Sequence, residues 1–567
     1  MTKLFNDPAE FAEEQFSGFL SLYADRLRGV PGGAVALRSG EPQVAVVVGG
    51  GSGHYPAFCG LVGPGLAAGA VVGNIFTSPS AAQVYSVAKA ADQGRGVILT
   101  FGNYAGDNLN FGIAAERLRK EGIDTRIVVV TDDVASAPEE DKRRGIAGDF
   151  TVFKAMGAAA AAGLDLDGVE RVGRAANAAT RTLGVAFSGC TMPGADKPLF
   201  TVPEGHLGLG LGIHGEPGIR DEPLPTAEEL GRLLVSSLLK EAPDQAGRRV
   251  GVILNGLGTT KYEELFLLWN TVSRQLAEAG LEPVDPEVGE LVTSLDMGGC
   301  SLTLMWLTDE LEAYWTADAY TPAYRKQKAG TAGLISAEQQ QAGQEAEQAE
   351  APQATPAARD LAQLVLAGLG TAQSTLHANE TKLGEIDAVA GDGDHGRGMV
   401  KGIDAAVAAA QSAAADGAGG AWLLTRAGQA WAASAGGTSG VLWGAALEAA
   451  GASLTDGRDG YAAAEAVDAV SAFAGAMTDL GRAVIGDKTL VDALLPFAEE
   501  LRAAVDAGTA LSEAWAAAAG TATEAADATA NLKPRLGRAR PLAEKSLGTP
   551  DAGATSLALI VTALGRR

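Results

Sequence analysis

The sequence predicts a multidomain chain in which an α/β portion of two subdomains precedes an all-helical domain. Three observations predict it. Residues 1–331 alternate short apolar runs with helical patterns. Residues 359–567 consist of long alanine- and leucine-rich stretches in which strand-like runs are scarce, and the segment 332–358 between them holds almost nothing to bury. At 567 residues the chain also exceeds what one hydrophobic core supports.

In the first portion Gln43–Val48 (QVAVVV) runs into Gly49-Gly50-Gly51, and Gly96–Phe101 and Thr125–Thr131 are similar apolar runs. Helical patterns lie between them near Ala81–Ala91 and Leu109–Lys120. Such alternation predicts a mostly parallel sheet covered on both faces. A second set comprises Arg249–Leu254, a helix near Tyr262–Ala279, then Glu290–Ser294 and Leu302–Leu307. Two α/β subdomains are therefore expected, with their boundary between Leu183 and Ala246. Gln, Glu, Ala and Pro dominate 332–358, which reads as a linker rather than a solvated docking helix. Beyond it Asp360–Leu369, Gly398–Ala415, Trp422–Ser434, Ala462–Leu480, Leu490–Ala507 and Ala510–Leu532 are separated by turns of Gly, Asp and Pro. They predict a domain of antiparallel helices.

Composition excludes several functions. A net charge of −25 repels a phosphate backbone, so nucleic acid is not an expected partner. Three distant cysteines, Cys59, Cys190 and Cys300, have neither disulfide nor zinc-ligand spacing and read as buried free thiols. The N-terminal MTKLFNDPAEFAEEQF is acidic where a signal peptide needs an apolar core. Ala155–Gly163 is too short and too weakly apolar to span a bilayer. A cytoplasmic enzyme without a membrane partner is expected.

The densest chemistry is Asp387-Ala-Val-Ala-Gly-Asp392-Gly-Asp394-His395-Gly396, three carboxylates within eight residues. Magnesium takes hard oxygen ligands and shares its shell with phosphate oxygens. Glycines between the aspartates let phosphates approach, and a following helix from Gly398 adds backbone N–H donors. Alone, Gly-Asp-Gly-Asp is turn chemistry more often than a metal site. Its company shifts the balance. Gly436-Gly437-Thr438-Ser439-Gly440, Gly486-Asp487-Lys488-Thr489, Arg538 and Gly548-Thr549-Pro550-Asp551-Ala552-Gly553-Ala554 follow in order, mostly as turns between helices. Together they form one rim of a helical barrel with small side chains and backbone amides toward phosphate.

This ordered set resembles the nucleotide-binding domain of dihydroxyacetone kinases. The resemblance implies that Asp387, Asp392 and Asp394 coordinate two magnesium ions bridging the phosphates of ATP. It further implies that His395, Thr438 and Ser439 line the nucleotide, with Gly486, Arg538, Asp551 and Gly553 in the same rim.

The first portion carries its own motifs. Gly49-Gly50-Gly51-Ser52-Gly53-His54 follows a strand but lacks the Gly-Lys-Ser/Thr of a Walker A loop. Gly51, Ser52 and Gly53 instead let a small polar ligand lie against the backbone, with His54 facing it. Asp107, in Asn103-Tyr-Ala-Gly-Asp107, follows the next strand, where open α/β sheets place ligands. Gly210–Gly215 formally matches a dinucleotide fingerprint, but Pro217-Gly218 stands where a helix should begin. The same block is similar to the dihydroxyacetone kinase segment whose histidine forms a hemiaminal with the substrate carbonyl, which puts His214 in that role. Leu254–Gly258 and Thr293–Thr303 also resemble that family, so the similarity covers nearly the whole chain. The expected activity is ATP-dependent phosphorylation of a short-chain ketose, with Asp107 and His54 acting on its terminal hydroxyl. The alternatives are a subunit using a protein phosphoryl donor and a non-catalytic ketose sensor. The resemblance also implies a homodimer through the first portion.

Two departures bear on the substrate. Tyr55 and Phe58 replace residues usual in the family, and Gly102 stands where a lysine of the substrate site is usual. Loss of that lysine removes a donor and a charge. It is expected to leave room for a larger ketose such as erythrulose.

Overall fold

The computed structural model describes residues 2–37, 40–244, 246–327, 351–536 and 540–566. The chain divides into two compact units, 1–337 and 338–567. Residues 332–350 of the expected linker, and Arg538, lie outside the described residues.

The first unit holds two six-stranded sheets. In the first sheet β1 (Leu27–Val30) and β2 (Gly33–Ala36) form an antiparallel edge. The remainder, β4 (Gly69–Ile75), β3 (Ala45–Ser52), β5 (Val97–Gly102) and β6 (Thr125–Val130), pairs in parallel in that order. Helices α2 (Ala81–Ala91) and α3 (Ala105–Lys120) cover one face, burying Val84, Val87, Phe111 and Leu118 against Val47, Leu99 and Phe101. Ser80 caps α2 by accepting the Gln83 amide, and Gln83 returns a bond to the Ser80 backbone.

The second sheet departs from the parallel expectation. Its order is β11 (Glu282–Gly289), β10 (Arg249–Gly256), β12 (Gly298–Trp306), β7 (Thr180–Ser188), β8 (His206–Leu209), β9 (Arg220–Pro223). Only β10 and β11 pair in parallel there; the other pairs are antiparallel. The chain crosses to this sheet between α5 (Leu166–Ala178) and β7, ahead of Leu183. β7 escapes a reading by apolar runs because Thr180, Arg181 and Thr182 open it, although all three are buried.

Between the sheets runs α4 (Asp149–Ala161), buried at every residue but the last. One continuous core joins Val46 and Ile98 of the first sheet, Phe150 and Phe153 of α4, and Ile253 and Met305 of the second. A helix buried on every side belongs inside a core, which accounts for the alanine run without a bilayer. No helix among the described residues is long and apolar enough to cross a membrane.

The second unit is all-helical, as expected. Its helices are α9 (Pro356–Ala388), α10 (His395–Ala415), α11 (Gly420–Ala435), α12 (Gly437–Ser453), α13 (Ala463–Gly481), α14 (Val491–Asp506), α15 (Leu511–Ala528) and α16 (Ala552–Gly565). Each packs on the next, and α16 returns to α9, closing a ring. The expected helix Asp360–Leu369 is the start of a 33-residue helix, capped by Thr355 with Pro356 in its first turn. Asp387 therefore ends a helix instead of sitting in a loop. α10 likewise begins at His395, three residues before Gly398.

One glycine in α4 sets how closely the helix packs. A β carbon on Gly157 would stand 1.9 Å from the Leu66 carbonyl oxygen. Gly157→Ala is expected to destabilise the first unit by about 1–3 kcal/mol, read as a lower urea midpoint. An unchanged midpoint would contradict this packing.

Candidate active site

The ends of β3 and β5 and two loops of the second sheet converge on a pair of imidazoles. His54 follows β3 and is 3% exposed. His214 comes from the β8–β9 connection. Their Nε2 atoms lie 3.0 Å apart. His54 Nδ1 meets the Thr293 carbonyl at 2.7 Å, and His214 Nδ1 meets Glu216 Oε1 at 2.9 Å. A carbonyl and a carboxylate only accept, so both Nδ1 atoms carry protons. The two Nε2 atoms thus face each other, with each ring held at its other nitrogen.

Burial, and then the charge of His214, push the His54 imidazole down to about 3. Burial alone would raise Glu216. Hydrogen bonds from His214 and the His214 charge outweigh it and hold the carboxyl down at about 2. Arg144 stands 3.7 Å from Glu216 and 2.9 Å from Asp133, continuing the charge chain. The second sheet fixes the ring positions. Buried Asn255 accepts the amides of Leu291 and Val292 and donates to the Val292 carbonyl, shaping the loop that reaches Thr293. Leu295 donates its amide to the Gly53 carbonyl at 2.8 Å.

Asp107 lies in the first turn of α3, where its oxygen accepts the Ser78 hydroxyl at 2.8 Å. Burial pushes its carboxyl above the ordinary range, with Ser78 and the charge of His214 opposing. Gly51 and Ser52 close β3 and Gly53 follows, so the glycine run is strand rather than loop. Gly102 ends β5, but the room expected beside it is taken. A β carbon there would lie 3.0 Å from the Gly145 carbonyl and 3.2 Å from the Tyr104 ring. Tyr55 turns toward Phe19, with ring centres 6.1 Å apart, while Phe76 stacks on His54 at 5.0 Å. Ser78, Glu216, Thr293 and Tyr104 escaped the sequence reading. Ser78 and Thr293 are ordinary residue types whose partners lie far along the chain. Glu216 alone gave a local signal, two residues after His214.

In the second unit one ligand oxygen each from Asp387, Asp392 and Asp394 lies within 4.8 Å of the others. Asp387 accepts the Gly393 amide at 2.9 Å, which folds the turn. Asp394 sits at the N-cap of α10 without spending its side chain on the helix. These are hard donors, and they fit magnesium. His395 Nε2 meets Ser556 Oγ of α16 at 3.0 Å, and burial lowers its pKa against the charges of Asp387 and Asp394. Asp551 caps α16 by accepting the Ala554 amide at 2.8 Å, and burial pushes its carboxyl up to about 6. A β carbon on Gly553 would lie 3.2 Å from Leu490, and one on Gly398 would lie 3.8 Å from the Ala435 carbonyl. The turn bearing Gly486 thus borders α16, and the end of α11 at Ala435 borders α10; Thr438 and Ser439 stand in the first turn of α12 and not in a loop, as the sequence had suggested.

Fold and site define a two-unit small-molecule kinase, with paired imidazoles in an α/β unit and a carboxylate cluster in a helical one. Comparison with known proteins agrees. A Dak1 domain model matches residues 17–323 and a DAK2 domain model matches residues 389–566. A D-erythrulose kinase of Mycolicibacterium smegmatis is 59% identical over 99% of this chain and 97% of its own. An L-erythrulose kinase of Pectobacterium atrosepticum is 56% identical over 100% and 96%. The crystal structure of the C. freundii dihydroxyacetone kinase in complex with AMP-PNP and Mg2+ matches with a TM-score of 0.57 at 29% identity, covering 100% of this chain and 99% of that one. The chain belongs to the dihydroxyacetone kinase family and is an ATP-dependent ketose kinase.

The depressed His54 pKa has a consequence for stability. The unfolded imidazole takes its proton near pH 6.5, the folded one near pH 3. Between these values the unfolded chain binds the extra proton, so stability falls as pH drops from about 6.5 toward 3. His54→Asn is expected to lessen the loss of urea midpoint between pH 7 and pH 4.5. Parallel losses in both proteins would contradict the assignment.

Proposed function

We propose that this kinase phosphorylates a terminal hydroxyl of erythrulose in preference to dihydroxyacetone, with the ketose held as a hemiaminal on His214. The facing Nε2 atoms of His54 and His214, each ring held at Nδ1 by an acceptor, carry this reading. His214 Nε2 adds to the ketone carbon, forming a C–N bond as the carbonyl π bond breaks. The former carbonyl oxygen takes up a proton from solvent, and the alkylated imidazolium is paired with the Glu216 carboxylate, so charge balances. Asp107, with His54 beside it, then accepts the proton of the terminal hydroxyl as its oxygen attacks the γ-phosphorus of ATP, and ADP leaves with the β,γ-bridging oxygen. Support for a four-carbon ketose comes from the two erythrulose kinases. They divide between D and L forms, so both enantiomers belong in the assay.

Asp387, Asp392 and Asp394 would hold magnesium, two ions in the family pattern, with His395, Thr438, Ser439, Gly486, Asp551 and Gly553 around the nucleotide. Bound magnesium would neutralise the β- and γ-phosphate oxygens. Fusion of both units in one chain supports exchangeable ATP over a protein donor, and an intact carboxylate cluster argues against a sensor. The family resemblance supports a homodimer through the first unit. The three buried free thiols fit a cytoplasmic setting.

ADP release with dihydroxyacetone, D-erythrulose and L-erythrulose tests the substrate. A higher kcat/KM for one erythrulose enantiomer is expected, and a clear preference for dihydroxyacetone would sink that assignment. Asp392→Ala should lower kcat by about a thousandfold, the scale of a lost electrostatic group, while ketose binding by calorimetry persists. His214→Ala should instead abolish ketose binding. Near-normal turnover in either variant would remove that residue from its role.

A further inference from the structure

Three buried polar atoms around Gly102 lack a hydrogen-bond partner: Thr100 Oγ1, the Tyr104 hydroxyl and Asp149 Oδ1. Native interiors pair nearly all such atoms, so three near one site call for an explanation. Thr100 and Gly102 lie on the same face of β5, two residues apart. Gly145 packs backbone to backbone on Gly102. A β carbon on Gly145 would stand 2.4 Å from the Gly102 Cα and 2.8 Å from Asp149 Oδ1. Asp149 opens α4 and is 4% exposed. Tyr104 sets its ring edge-to-face on His214 with centres 5.1 Å apart. Asn103 holds the covering loop by donating to the Arg143 carbonyl at 2.8 Å and the Asp141 carbonyl at 3.2 Å.

Asp107 and Ser78 serve the hydroxyl that is phosphorylated, so the other end of a ketose fixed at His214 must be received elsewhere. We infer that the Tyr104 hydroxyl and the Asp149 carboxyl, backed by Thr100, form the subsite that receives the additional hydroxyl of a four-carbon ketose and so set the preference over dihydroxyacetone. This rests on the ketose-kinase reading of the His214 site. A tetrulose has one hydroxyl-bearing carbon more than dihydroxyacetone. A site with unpaired polar groups discriminates strongly against the analogue lacking the matching hydroxyl. Burial, and then the charges of Asp132 and Asp107, raise the Asp149 carboxyl well above its ordinary range, which favours the acid form that can donate. The missing side chain at position 102 thus has a different consequence from simple room. It leaves these groups without a side chain of that residue to satisfy them.

The test is substrate selectivity in Tyr104→Phe, Asp149→Asn and the isosteric Thr100→Val, each assayed by ADP release with dihydroxyacetone and both erythruloses. For Tyr104→Phe and Asp149→Asn the ratio of kcat/KM for the preferred erythrulose to that for dihydroxyacetone should fall about tenfold or more, the scale of one lost hydroxyl partner. Because its hydroxyl is unpaired, Tyr104→Phe should leave the ligand-free melting temperature unchanged or higher while shrinking the rise caused by erythrulose. An unchanged ratio, or equal losses on both substrates, overturns the subsite, as does a Tyr104→Phe protein destabilised without ligand. Wild-type protein that phosphorylates no ketose would instead overturn the kinase reading itself. Wild-type preference for dihydroxyacetone with a ratio that still falls in the variants would retain the subsite and remove only the substrate ranking.

Discussion

The 3.0 Å bond between His54 and His214 is the interaction on which the first unit's chemistry depends. The two residues come from different sheets, and each ring is oriented by an acceptor at its other nitrogen. Holding both rings at Nδ1 leaves the two Nε2 atoms facing each other. Everything that fixes the two sheets relative to each other also fixes this pair. The α4 core does so from inside, Asn255 through the loop ahead of Thr293, and the Leu295 amide through the Gly53 carbonyl.

The helical unit solves an opposite electrostatic problem. Three carboxylates drawn within 4.8 Å repel one another and would also repel a triphosphate. Divalent cations turn both repulsions into attractions, so such a cluster in a chain of net charge −25 makes sense as a cation site. The closed ring of helices brings the turns together at this point. α10 starts beside α16 through His395 and Ser556, and beside the end of α11 through Gly398.

Much of the fold was legible in the sequence. The helix near Ala81–Ala91 was read from its pattern, and the structure shows Ser80 and Gln83 capping its start. The second sheet is mostly antiparallel, a pairing direction that the second set of runs did not carry. Alternation of apolar runs reports strands and helices, but pairing direction depends on which strands meet, and β7 enters with buried polar residues. The helix reaching Asp387 was also hidden, because the pattern of a long amphipathic helix weakens where alanine, glycine and polar residues share its faces.

What the sequence by itself determined is the inventory: two kinds of domain, three aspartates at one turn, and His54, Asp107 and His214 in motifs whose residue types limit their chemistry. Motifs of this kind are short-range, and their spacing is set by the local backbone. Only the tertiary structure decided that His54 faces His214, that Ser78 holds Asp107, and that Gly102 is flanked by Gly145 and Tyr104 rather than by open space. Each of these joins residues far apart in the chain or packs a loop onto a strand. Their geometry comes from how the two sheets close on α4, which no local spacing encodes.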